Sequence, residues 1–275
     1  MTPQEFLQFP GLPPYLKNLL ANLKLTPGQK YDRNVQATIY NQAYRKLADQ
    51  ITLENVGTSG PKKPIPQKLP FQHMSFILNY FFSFKNIYLS NGSSMNKKGL
   101  LGIYLDEEYN DINTQGIYQV NYEDIQHLLN GFLSEYKDSE IEEIFNKIKR
   151  EADRVGVTES KTKTVVKNGI FNRKTNELEP FSPDFVTLVK IPIDYNPRPT
   201  NPIIVEDDGF RWDVDSWIYD LADNDFDTNT LIWQVIADCL QPSYSRNRSI
   251  WFYSDKGNNG KGTLGQLIKN LLGEN

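Results

Sequence analysis

The chain has 275 residues, 39% hydrophobic and 23% charged, proportions of an ordinary globular protein with core enough for one large domain or two small ones. A net charge of −4 means that bulk charge does not mark it as a nucleic-acid binder. One cysteine, Cys239, excludes an internal disulfide, and the longest apolar run, 76–84, is interrupted by Asn79 and Ser83 and is too short to cross a bilayer. With no secretory pattern at the start, these features lead to an expectation of a reducing, cytoplasmic setting.

Residues 1–57 read as a helical segment. Leu16, Leu19, Leu20 and Leu23 follow Pro13 and Pro14 and end before Pro27 and Gly28. Val35, Ile39, Ala43, Leu47 and Ile51 recur every fourth residue, with Asn34 in position to cap them. No chemistry is visible here; a small packing layer is the simpler reading and an adaptor for a partner the other. Residues 58–70 are rich in Pro, Gly and Lys without periodicity and read as an extended linker, with Lys62, Lys63 and Lys68 as solvated charge.

Residues 71–228 read as an α+β module. Residues 100–105 and 116–120 are strand-like, and His73 is a packing or surface histidine. Asn121 caps a helix whose apolar positions are Ile125, Leu128, Leu129, Phe132, Leu133 and Tyr136. Ser139 with Glu142 suggests a capping box for the next helix, which points Ile141, Ile144, Phe145, Ile148 and Ala152 inward. Residues 163–167, 169–171, 178–181 and 186–191 read as strands joined by Asn–Gly and Thr–Asn turns. Pro197, Pro199 and Pro202 end that sheet. Val214, Trp217, Ile218 and Leu221, then Leu231, Ile232, Val235, Ile236 and Leu240, give two further helices.

Charge is uneven along this module. Residues 147–174 hold nine Lys or Arg against three acids, whereas 206–227 hold nine acids against Arg211 alone. Lys147, Lys149, Arg150 and Arg154 are therefore candidate contacts to nucleic-acid phosphates, with a solvated helix face as the plainer reading. The acidic run lacks the ligand spacing, glycine and closing glutamate of a calcium loop and reads instead as a helix with its acids in water.

Residues 229–275 carry the pattern with the most chemistry. Ile250, Trp251, Phe252 and Tyr253 suit a buried strand, and Gly257, Asn258, Asn259 and Gly260 a tight loop. Leu264, Leu267, Ile268, Leu271 and Leu272 mark one face of a helix that Gly273 ends. A strand, loop and helix in this order aim backbone N–H groups and the positive helix end at one point, where a polyphosphate fits. Lys261 would reach its outer phosphates and Thr263 would hold Mg²⁺, which makes ATP and Mg²⁺ the expected cofactors. Asp255 stands in place of the first glycine of the P-loop pattern, and Gly262 stands where Ser or Thr belongs. A glycine turn followed by an unrelated amphipathic helix is the bland alternative.

Residues 232–240 (IWQVIADCL), 247–253 (NRSIWFY), 257–263 (GNNGKGT) and 271–273 (LLG) resemble the entry to a superfamily 3 helicase core. The kin are phage and plasmid primase-helicases related to the poxvirus one. Residues 168–172, 175–183 and 190–196 are similar to the hairpin and strand that such proteins carry upstream, so the resemblance spans roughly 80–275. It implies a mobile-element replicative helicase in a bacterial host, a homohexameric ring on DNA, and an AAA+-like ATPase that begins at 229. It also implies a catalytic part for Lys261, with Gly257, Asn258, Asn259, Gly260, Lys261, Gly262 and Thr263 around the nucleotide. The second acidic strand, polar sensor and arginine of such an ATPase have no counterpart after Lys261, so the chain alone is expected to lack ATPase and unwinding activity. No primase motif is visible. A non-catalytic DNA- or partner-binding module with a vestigial P-loop is the alternative, and a small-molecule kinase, suggested by Gly260–Thr263 (GKGT), a weaker third.

Overall fold

The structure, a computed structural model, describes residues 3–57, 59–89, 99–107, 114–241, 249–253, 257 and 259–273. It is mixed α+β and divides into two units, Met1–Val157 with Pro183–Leu188, and Thr158–Ser182 with Val189–Asn275.

The first unit opens with α1 (Pro3–Phe6), α2 (Pro14–Asn22) and a long α3 (Arg33–Asn55). Leu16, Leu19 and Leu20 of α2 and Ile39, Ala43 and Leu47 of α3 are buried, as their spacing predicts. The cap of α3 is Asp32 rather than Asn34. Its carboxylate accepts from the N–H groups of Asn34 and Val35 at 2.8 and 2.9 Å, and its charge suits the positive helix end. Between α3 and the next helix the proline-rich stretch is held at several points. Asn55 exchanges two 2.9 Å bonds with the backbone of Lys63, Tyr44 donates to the Pro66 carbonyl, and Leu69 is fully buried. Lys63 pairs with Glu54 and Lys68 with Glu140, so these two charges are engaged locally.

Helix α4 (Phe71–Phe81) leads into β1 (Phe84–Tyr88), then β2 (Leu100–Tyr104) and β3 (Tyr118–Gln119). Asn121 caps α5 (Tyr122–Leu128), which a break at Leu129 separates from α6 (Asn130–Leu133). Helix α7 (Asp138–Glu151) and β4 (Arg154–Gly156) complete the layer, with strand order β3-β2-β1-β4 and β4 parallel to β1. The cap of α7 lies two residues before the expected box. Glu140 accepts from the Lys137 N–H at 2.8 Å, which starts the helix at Asp138 and brings Ile141, Ile144, Phe145 and Ile148 into the core.

In the second unit, β5 (Lys163–Val166), β6 (Gly169–Asn172) and β7 (Glu177–Glu179) form an antiparallel sheet, with Asn176 at φ 58° in the turn. A hairpin of β8 (Ile203–Val205) and β9 (Arg211–Asp213) follows the prolines, which therefore end one sheet without ending strand structure. Helices α8 (Val214–Leu221), α9 (Phe226–Cys239) and α10 (Lys261–Leu272) pack round Ile218, Ala222, Ile232, Ile236 and Leu264. Cys239 is partly buried, whereas Leu231, expected on the apolar face, is exposed.

Two expected strands are not formed. Residues 186–191 divide their bonds: Thr187 accepts from Tyr118 within the first unit, and Ile191 bridges Val166 within the second, so no ladder runs along the stretch. Residues 250–253 have no strand beside them among the described residues, and Trp251 and Tyr253 are 88% and 83% exposed. A strand needs a neighbour for its N–H and C=O groups, and an apolar run without one has no reason to form a ladder.

Candidate nucleotide site

The helical half of the loop-and-helix pattern is built as its sequence predicts. Gly260 sits in the left-handed region at φ 79°, and α10 begins on the next residue. A Cβ at Gly260 would lie 2.9 Å from Leu221 Cδ1 and 3.8 Å from Trp217, so both its conformation and its packing on α8 require glycine. The first bond of the helix runs from the Leu264 N–H to the Gly260 carbonyl at 2.9 Å. The N–H groups of Lys261, Gly262 and Thr263 come before it and have no intrahelical partner, and among the described residues no side chain caps this end. Three donors and the positive end of a twelve-residue helix therefore converge where an anion would sit.

Lys261 is the first helical residue. Its ammonium donates to Asn259 Oδ1 at 2.6 Å, which holds the charge against the residue just before the N-cap glycine. Thr263 is exposed two residues on, and Leu264 beneath it is 1% exposed, which anchors the first turn. Leu267, Ile268 and Leu271 pack on the same cluster, and Gly273 follows the last turn at φ 88°. A Cβ at Gly257 would meet none of the described residues within 4 Å, and Asn258 lies outside the described residues, as does Asp255. The residues present thus fit a phosphate chain at the helix end, whereas among the described residues the strand half of a P-loop is not formed.

Thr263 also borders a cavity of ≈ 380 Å³ that it shares with Glu206, Phe210, Trp212, Val214, Trp217 and Leu267. The sequence marks Trp217 only as a helix-packing residue and gives Phe210 and Trp212 no role. The density of aromatics inside an acidic run was the available signal. Among the described residues, no three His, Cys, Asp or Glu side chains gather as a metal-holding group.

The four basic candidates all belong to the first unit. Lys147 pairs with Glu151 at 2.7 Å one helical turn on, a contact that occupies its charge. Lys149 is half-buried on α7, and Arg150 and Arg154 are exposed on α7 and β4. The other cations of the run lie in the second unit, where Lys163 pairs with Glu179 and the Arg173 guanidinium donates to the Lys161 carbonyl. The nine charges that look continuous in sequence are thus distributed over two units.

No curated protein matched the chain. A family model described as D5 N terminal like matches residues 41–241, which takes in most of both units and stops before Gly257. The chain belongs to the D5 N-terminal-like family, that of the N-terminal region of phage and plasmid primase-helicases.

Proposed function

We propose that the chain is the N-terminal part of a superfamily 3 replicative DNA helicase of phage or mobile-element type, and that it binds the phosphates of ATP at the start of α10. The observation that carries this reading is the helix end at Gly260–Thr263, uncapped among the described residues and opened by Lys261, which lies on the C-terminal side of the family region. The N–H groups of Lys261, Gly262 and Thr263 would bind phosphate oxygens. Lys261 would turn from Asn259 to the outer phosphates, and the Thr263 hydroxyl would ligate Mg²⁺ beside them. The whole protein would act as a homohexameric ring on DNA, with ATP hydrolysis completed by residues that this stretch does not supply. Residues 229–275 would then be the opening of the ATPase domain, and Ile250–Tyr253 a strand formed on pairing with others of its sheet.

The test is binding of MgATP to the chain by calorimetry. Lys261→Ala should weaken it by tenfold or more with the helical circular dichroism unchanged; unaltered affinity would remove the assignment. The second reading, a non-catalytic DNA-binding module, is favoured by exposed Arg150 and Arg154.

A further inference from the structure

The cavity beside Thr263 adjoins the phosphate site through that residue, and the rest of its lining is of a different kind. Three elements build it. The β8–β9 turn brings Glu206 and Phe210, β9 and α8 bring Trp212, Val214 and Trp217, and α10 brings Thr263 and Leu267. Phe210 is 60% exposed, and the rings of Trp212 and Trp217 lie 6.5 Å apart at 54°. Three aromatic side chains therefore line an open hollow of ≈ 380 Å³, within the range of about 300–1,000 Å³ common for small-molecule sites. Of its two polar side chains, Thr263 and Glu206, the second is held in direction: Glu206 Oε1 accepts from Trp212 Nε1 at 3.1 Å, which leaves its other oxygen as an acceptor.

Charge fixes which end of a ligand belongs here. Glu206 is followed by Asp207 and Asp208 in the hairpin turn, so a phosphate in this hollow would be repelled. The donors of α10 and the Lys261 ammonium begin within one helical turn of Thr263, about 5.4 Å along the axis. A molecule with an anionic tail and a flat, neutral ring bearing an N–H donor matches both halves. We infer that the hollow is the base subsite of the nucleotide site: a purine ring stacked on the Trp217 and Phe210 side chains, its N–H edge donating to Glu206, with its phosphates at Gly260–Thr263. This inference rests on the phosphate reading of α10, and the two are separable by experiment.

The measurement is calorimetric titration of the full chain with MgATP and with magnesium triphosphate, which lacks base and sugar. Wild type should bind ATP about tenfold more tightly than triphosphate, the worth of one stacked base. Phe210→Ser removes an exposed ring that no core needs, and Trp217→Leu removes a π face while keeping an apolar side chain against the α8–α10 cluster. Each should bring ATP affinity toward that of triphosphate and leave triphosphate affinity as in wild type; a melting curve identifies a variant that fails to fold. If triphosphate binds wild type and both variants keep full ATP affinity, the base subsite is wrong and the phosphate site stands. If ATP binds, both variants lose it, and neither triphosphate binding nor Lys261→Ala has any effect, the hollow holds the base and the phosphate reading is wrong. If wild type binds neither ligand, both are overturned.

Discussion

Gln36 shows how much one buried polar side chain can hold. Fully buried on α3, it donates to the carbonyls of Lys30 and Leu128 at 2.8 and 2.9 Å and accepts from the Gly131 N–H at 3.0 Å. A Cβ on Gly131 would lie 2.2 Å from the Arg33 carbonyl oxygen, so α6 reaches α3 only because residue 131 has no side chain. Gln36→Leu should cost about 1–3 kcal/mol, since it leaves a buried N–H without a partner. Gly131→Ala should cost a similar amount by overpacking, about 1–3 kcal/mol. Urea unfolding measures both, and a change below about 0.5 kcal/mol in either would contradict the packing described. Neither residue announces itself in sequence: a glutamine on a helix reads as surface, and its three partners come from residues up to 95 positions away.

The cap carboxylates Asp213 and Asp225 are both held below the usual carboxylate range. For Asp213 the cause is first the Ser216 N–H and then Asn201; for Asp225 it is Thr228. A depressed folded pKa means that the stabilisation is complete above the unfolded value and is lost as pH falls through the folded one. Thermal unfolding at pH 7 and at pH 3 should therefore show α8 and α9 less stable in acid, while in Asp213→Asn/Asp225→Asn that part of the acid loss should vanish. An identical acid loss in the double variant would show that these caps do not set it.

At the scale of elements, periodicity served where an element buries its own stripe. The apolar faces of α2, α3, α5, α7 and α10 are the ones their spacing marks, because a helix closes its own backbone bonds and only its stripe needs a partner. Strands were legible as hairpins, β5 to β7, where turn residues fix the pairing locally. They were missed or misread where pairing depends on distant chain. Strand β1 begins where the apolar run 76–84 ends and carries no strand signal of its own, β4 is three residues parallel to β1, 186–191 divides its bonds between two partners, and 250–253 has the composition of a strand without the neighbour that would make it one. Trp251, 88% exposed, should on that ground be dispensable in this chain. Trp251→Ser should leave stability within about 0.5 kcal/mol and remove a water-exposed, readily quenched fluorescence component. A larger loss of stability, or a shielded Trp251 emission, would mean that the segment is packed.

At the scale of the whole molecule, net charge is a poor guide because opposite fields are kept on different stretches. The basic run and the acidic run nearly cancel in the total of −4. Burial and pairing then reduce the basic candidates, leaving Arg150 and Arg154 as exposed positions on the first unit. Should these two carry DNA binding, affinity for a single strand would fall as salt rises. Arg150→Ala/Arg154→Ala would flatten that dependence by about one to two counterions, read by fluorescence anisotropy between low and moderate salt. A slope unchanged by the double substitution would place DNA contacts elsewhere. The glycine, lysine and amphipathic helix at the start of α10 were legible because they are local in sequence. The aromatic hollow was not, because it is assembled from a hairpin and two helices.

Whether the open N–H groups at the start of α10 hold phosphate is read directly from the amide spectrum of the ¹⁵N-labelled chain. On titration with magnesium triphosphate, the amides of Lys261, Gly262 and Thr263 should shift together along one saturable curve. Those of α7 should stay in place, and the Lys261→Ala chain should need at least tenfold more ligand. Shifts confined to other residues, or none at these three at saturating ligand, would show that α10 is an amphipathic helix with no part in nucleotide binding.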